Sequence, residues 1–389
     1  MNIHPGLEGG PIYLDYNATT PVDPLVVEAM LPYLSRYFGN PSSTHRYGVE
    51  TKRAVGSARE QVASLLGCSP SEITFTGGGS ESDNLAICGV ALAKRANGNH
   101  IVTQRTEHPG VINPCRALER LHGFRVTYLP VDSGGRVSPA SVEDAMTDET
   151  VLVTIMHANN ETGTLQPIAE IAEIAHRHGV LMHTDAAQSV GKIPTLVNDL
   201  GVDLLTVVGH KMYAPKGIGA LYVRQGIELE PIIYGGGQES GRRAGTENLA
   251  YIVALGTAAI LAQEQLNESK LRIQHLRDML HRRLEMYLPG LVHLNGHRTE
   301  RLPNTLNVSV ERVIGEEVLV GTPEIASSTG SACHEGNTDP SEVLIAMGMT
   351  RERALGALRL TLGRWSTEEE IERASTLLAR TIDYQREKR

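Results

Sequence analysis

Between residues 72 and 223 the chain alternates short aliphatic runs with helical patterns; the runs fall at 73–75, 100–103, 126–129, 151–156, 181–184, 204–208 and 220–223. This rhythm predicts βαβ crossovers and an α/β fold built on a mainly parallel seven-stranded sheet. Ligands of such sheets bind beyond the carboxyl ends of the strands, so the polar clusters that follow these runs point to one shared crevice. Farther along, Leu261, Leu266, Leu271, Leu276, Leu280, Leu284 and Leu288 step mostly by four or five among charged residues. They predict a long amphipathic helix over 258–288, stopped by Pro289 and Gly290. A strand at 305–310, an irregular stretch at 327–340 and a helix at 368–386 predict a smaller α+β domain. The expected division is a large domain of residues 14–263 and a small one formed by 1–13 with 264–389.

Composition sharpens this picture. With 3 Phe and 1 Trp in 389 residues, the core must be made of aliphatic side chains and Ala, as in helix-covered parallel sheets. A net charge of −9 argues against broad capture of nucleic acid or of an anionic membrane and favours small-molecule chemistry. The start of the chain lacks a basic, then apolar, leader pattern, and the longest apolar run, 251–262, is too short to span a bilayer. These features lead to an expected cytoplasmic location. Cys68, Cys88, Cys115 and Cys333 form neither a disulfide framework nor metal-ligand spacing, so each is a lone thiol and no metal is expected.

Three clusters carry chemistry. The first, Thr76-Gly77-Gly78-Gly79-Ser80-Glu81-Ser82-Asp83, follows a strand and opens an apolar helical pattern, with Ser80 and Asp83 spaced as a capping box. It reads either as a phosphate cup at a helix N-terminus or as a tight turn with a cap. In the second, Asp185 emerges at a strand end with Gln188 three residues on; it would hold a protonated ring nitrogen or cap the next helix. In the third, Lys211 follows an aliphatic strand within Gly209-His210-Lys211-Met212-Tyr213-Ala214-Pro215. A partly desolvated amine there has a lowered pKa and can condense with an aldehyde; otherwise it is a surface charge. Together, a phosphate cup, a ring-nitrogen acid and a carbonyl-reactive lysine are the anchors that pyridoxal phosphate needs.

The ordered segments YLDYNATTP, GNPSSTHRYG, FTGGGSESDN, TEHPGV, ANNETGTLQP, HTDAAQSVGK, GHKMYAPKGIGALYVR, GGGQESGRRAGTEN, SSTGSAC and LRLTLGR span nearly the whole chain. This series resembles the cysteine desulfurase and selenocysteine lyase family of class V aminotransferase-like, fold-type I pyridoxal-phosphate enzymes. The resemblance implies a homodimer with its active site at the subunit interface and pyridoxal 5'-phosphate as cofactor. It implies that Lys211 attaches the cofactor, Asp185 faces the pyridine nitrogen, Gln188 bonds the ring hydroxyl, and His108 stacks on the ring and shuttles protons. Gly79, Ser80 and His210 would hold the phosphate, joined by Thr246 from the other subunit, while Asn40, Asn160 and Arg359 would orient the substrate and grip its carboxylate.

Cys333 lies among small and polar residues beside His334, the setting of a reactive rather than a packed thiol. The other three cysteines lie on or beside apolar helical patterns and read as core fillers. By resemblance Cys333 accepts sulfur from L-cysteine as a persulfide and L-alanine is released. The acceptor that takes the sulfur next is not identified by the sequence. Val208 stands where many desulfurases have a phosphate-binding serine, and the Val-Gly-His-Lys, Ala-Cys-His and Leu302–Asn307 segments lean toward selenocysteine lyases. Pro109 stands where the animal lyases carry an aspartate. The alternatives are thus a lyase acting on L-selenocysteine and a non-catalytic dimeric scaffold.

Overall fold

The structure, a computed structural model, describes residues 3–330 and 339–388; Cys333 lies outside them. A two-residue strand, β1 (Ile12–Tyr13), precedes the large sheet. That sheet contains β2 (Ile73–Thr76), β3 (His100–Gln104), β4 (Arg125–Leu129), β5 (Thr150–Thr154), β6 (Leu181–Asp185), β7 (Leu204–Val208) and β8 (Gly219–Val223). Their order is β2-β8-β7-β6-β5-β3-β4. All neighbours are parallel except β8, which runs antiparallel to both β2 and β7. Reversing β8 leaves β2 and β7 parallel to each other, so the loops after β2, β3, β5, β6 and β7 leave one edge of the sheet.

The aliphatic runs reflect burial on both faces. Ile101, Leu152, Leu204 and Leu221 point to one core, shared with the helices Gly79–Ala93 and Pro109–His122. Their chain neighbours Val102, Val153, Leu205 and Ala220 point to the other, as the two-residue period of a strand requires. The expected 151–156 run ends as a strand at Thr154; residues 155 and 156 continue toward the site.

The long helix runs over Leu249–Tyr287, starting nine residues earlier than its leucine spacing predicts because Asn248 caps it. One window of it is long and apolar enough to cross a membrane, but half of that window is buried inside the molecule. Its first half packs against the helix Arg46–Leu66 in the large core, and Leu276, Leu280 and Leu284 of its second half enter a separate core. Leu271 is 69% exposed, so the leucine stripe is not one continuous buried face. A Cβ at Gly256 would stand 2.7 Å from the Cα of Ala58, so this glycine sets the approach of the two helices. Gly256→Leu is expected to destabilise the fold by about 1–3 kcal/mol through overpacking, read as a lower urea midpoint at unchanged slope.

The smaller domain holds a three-stranded antiparallel sheet of β9 (Val292–Leu294), β10 (Thr305–Val310) and β12 (Ala357–Thr361). The short strand β11 (Ile325–Ala326) pairs in parallel with β1 and ties the start of the chain to this domain. The helix Glu368–Glu387 closes its core through Ile371, Leu378 and Ile382.

Candidate active site

A cavity of about 320 Å³ lies at the shared sheet edge, lined by Gly79 and Ser80 after β2, His108 after β3, Asn160 after β5, Asp185 and Gln188 after β6, and His210 and Lys211 after β7. Arg359 enters it from β12, and Asn17 and Ala18 close one side. The volume suits a cofactor-sized ligand. Nine sequence-assigned residues therefore meet although 280 positions of chain separate the first from the last.

The lysine follows β7 in a single turn, Gly209–Lys211, and the chain then passes through Tyr213 at φ 62°. Its Nζ donates to the carbonyls of Asn17 at 2.5 Å and Ala18 at 2.6 Å. Burial, reinforced by the Arg359 charge, pulls its pKa down to about 8. The amine therefore becomes a competent nucleophile far below the ordinary lysine range. His210 beside it is pushed down to about 4, by burial first and then by Lys211, so it is neutral near pH 7. Its Nδ1 lies 3.1 Å from the Thr19 hydroxyl.

Asp185 ends β6 buried, with Oδ1 accepting from the backbone N–H of Ala187 at 2.8 Å. No helix starts there: residues 187–192 form a turn, so the carboxylate serves the cavity rather than a helix cap. Burial raises its pKa, against the lowering influence of His108. His108 caps the helix Pro109–His122, its Nδ1 accepting from the Gly110 N–H at 3.0 Å, which leaves the Nε2–H as its donor when neutral.

The Ser80–Asp83 capping box does not form. The helix starts at Gly79 after Gly78 at φ 143°, with no side-chain cap, and Ser80 is exposed in its first turn. The N–H groups of this turn and the positive end of the helix dipole thus face the cavity. A Cβ at Gly79 would stand 2.7 Å from a Val208 methyl, so only glycine keeps this cradle open beside valine. Asp83, expected at the cap, is 1% exposed and lines the cavity, with Oδ1 lacking a hydrogen-bond partner among the described residues. One ligand atom each of Asp83, His108 and Asp185 lie within 4.8 Å of one another, so two buried carboxyl groups and an imidazole meet at the Asp185 end. Burial, with Asp185 adding to it, raises the Asp83 pKa well above the carboxylate range.

Arg359 is buried, not a surface pair. Its Nη2 donates to Asp15 at 2.8 Å and Nη1 to the Asn160 carbonyl at 3.3 Å, and its buried Nε has no hydrogen-bond partner among the described residues. Two assigned residues stay outside this cavity in the single chain. Asn40 is exposed, its Oδ1 accepting from Ser42 N–H at 2.9 Å, and Thr246 is exposed on the loop before the long helix.

Sequence reasoning passed over Asn17, Asp15 and Lys192. Asn17 is 1% exposed: its side chain donates to the Asn160 carbonyl and the Thr305 hydroxyl, and its carbonyl receives both Lys211 and Gln188. The signal was the dense polar motif YLDYNATTP, which carried resemblance but no stated role.

These groups fit pyridoxal phosphate: an uncapped helix N-terminus opened by Gly79 for the phosphate, a buried carboxyl for the ring nitrogen, and an amine of lowered pKa for the aldehyde. The aminotransferase class-V family matches residues 12–374. The cysteine desulfurase IscS of Dictyoglomus turgidum is 47% identical over 374 residues, covering 96% of this chain and 94% of that protein. That of Methanosarcina thermophila is 48% identical over 368 residues, covering 94% and 90%. Among solved structures, a NifS-like protein superposes with a TM-score of 0.90 at 37% identity, covering 96% of this chain and all of that one. SspA in complex with cysteine reaches 0.80 at 40% identity, covering 91% and 99%. With a match over nearly its whole length and the site assembled at the expected edge of the sheet, the chain belongs to the class-V aminotransferase family, among the cysteine desulfurases.

Proposed function

We propose that this protein is a homodimeric cysteine desulfurase that converts L-cysteine to L-alanine and takes the sulfur onto Cys333 as a persulfide. The observation that carries this reading is the convergence of Lys211, Asp185 and the uncapped helix N-terminus on one cavity that also contains the buried Arg359. Pyridoxal phosphate supplies an aldehyde for amines and a ring that draws electrons from the substrate α-carbon. The chain's own groups do the rest. The N–H groups of residues 79–81 and the Ser80 hydroxyl hold the phosphate, with Thr246 contributed across the dimer. Asp185 keeps a proton on the ring nitrogen, where low dielectric strengthens the charge pair. Arg359, exchanging Asp15 for the substrate, grips the carboxylate, and Asn40 and Asn160 complete its orientation. Lys211 Nζ and His108 Nε2 move the proton at the α-carbon. The Cys333 thiolate attacks the substrate sulfur; the carbon–sulfur bond breaks, a sulfur–sulfur bond forms, and protonation of the three-carbon product gives alanine.

The dimer is supported by apolar side chains gathered on the segment before the first long helix and on that helix's first turn. Leu25, Leu31, Leu34, Phe38 and Tyr47 are each more than half exposed, and the rings of Phe38 and Tyr47 stack at 5.3 Å. An unpartnered set of this kind fits a subunit interface. A cytoplasmic location is part of the same reading, because a persulfide-forming lone thiol needs a reducing compartment. L-Selenocysteine remains the competing substrate: Val208 in the phosphate cradle favours it, and the family relatives favour cysteine.

The test is mass spectrometry of Cys333 after incubation with L-cysteine. A mass gain of one sulfur with release of alanine supports the reading; turnover of selenocysteine without any turnover of cysteine overturns the substrate. Arg359→Ala is expected to raise KM for cysteine at least about tenfold, because a charge-assisted carboxylate contact contributes about 1.5–3 kcal/mol, while cofactor absorbance stays.

A further inference from the structure

Gln188 is 4% exposed, and two neighbours fix which way its amide faces. Lys192 Nζ, one turn along the chain, lies 2.8 Å from Oε1, and an ammonium can only donate. On the other side Nε2 lies 3.0 Å from the carbonyl of Asn17, which can only accept. Flipping the amide would set N–H against ammonium and oxygen against oxygen, so the orientation is determined by chemistry. Nε2 has two N–H groups; one goes to Asn17, and the second is left for whatever occupies the cavity that Gln188 lines. The bond to Gln188 is the side-chain hydrogen bond that Lys192 makes among the described residues. The charged groups around it are Lys211 and Arg359 toward the cavity and Lys270 and Arg364, which line a small void of about 30 Å³ on its other side. Burial, with Lys211 and Arg359, pulls Lys192 down to about 7; a neutral amine still donates an N–H to Oε1, while the exclusion of the flipped amide by a donor-only ammonium is strongest below that value.

We propose that Lys192 is a positioning residue: by holding Oε1 of Gln188 it forces the amide to present an N–H donor to the cavity, and so selects an anionic oxygen on the bound ring. This deepens the pyridoxal phosphate reading and rests on it. A ring oxyanion that loses this donor and meets a carbonyl oxygen instead is destabilised, and it holds the proton it shares with the neighbouring nitrogen more tightly.

The experiment reads the pH midpoint of the visible absorbance change of the protein loaded with pyridoxal phosphate. Lys192→Met is expected to raise the midpoint by about one pH unit, tenfold in proton affinity, and Lys192→Arg, which keeps a donor, to restore it. In a Gln188→Ala background Lys192→Met is expected to add no further shift, since the effect passes through the amide. A coloured Lys192→Met protein with an unchanged midpoint overturns the proposal, as does an equal shift in the Gln188→Ala background. A wild-type protein that stays colourless overturns the cofactor reading and this inference together.

Discussion

Lys211→Ala is expected to yield a folded protein that binds pyridoxal phosphate without the spectral change of covalent attachment and turns cysteine over at least about a thousandfold more slowly. The size follows from losing the nucleophile for the aldehyde together with a proton carrier at the α-carbon, each of which enzymes use for large accelerations. The fold should persist because the side chain's own contacts are two hydrogen bonds to the carbonyls of Asn17 and Ala18, at a position lining a cavity rather than in a packed core. A pH dependence accompanies this. The Lys211 pKa lies near 8 in the unloaded chain, so the neutral, reactive amine is scarce well below pH 8 and dominant above it. The rate of cofactor uptake, followed by absorbance, should therefore rise with pH and level off above about 8 instead of climbing through the ordinary lysine range near 10.4. Full activity in Lys211→Ala, or an uptake rate still rising above pH 10, would refute the assignment.

Cys333→Ala is the second large effect: no persulfide should form and alanine production should fall to background, while the cofactor still binds and changes its spectrum with cysteine. The structure strengthens this choice through the other thiols. Burial pushes Cys68 up to about 12 and Cys88 to about 11. Cys115 sits on the buried face of the helix Pro109–His122 and is raised as well, with Glu107 adding to the effect. Thiols so shifted hold almost no thiolate near neutral pH, so none can attack the substrate sulfur. Replacing all three by serine or alanine should leave sulfur transfer in place, whereas persulfide found on any of them would refute the assignment of Cys333.

Much of this is legible in the amino-acid sequence alone. The strands of the large sheet are continuous aliphatic runs because both faces are covered, and that burial leaves a direct trace in composition. Lys211, Asp185 and Gly79 stood out because each follows such a run. The legibility failed where two local patterns share one signature. Serine and aspartate three apart read as a capping box, yet the three glycines let the backbone turn into the helix two residues earlier, and Asp83 rotates inward to face Asp185. The leucines of the long helix read as one stripe, yet Leu271 falls where the helix passes between two cores and is left in solvent.

The sequence by itself determined the element types, the aliphatic core and the chemical repertoire, since these depend on neighbours within a few residues. Only the tertiary structure decided which polar residues share the cavity: Asn17, Asp83, Gln188 and Arg359 enter it, whereas Asn40 and Thr246 of the same chain do not. The reason is physical. Those encounters join strand ends brought side by side by the sheet order, and hydrogen bonds such as Arg359 to Asp15, 344 positions apart, leave no periodicity in the chain to read.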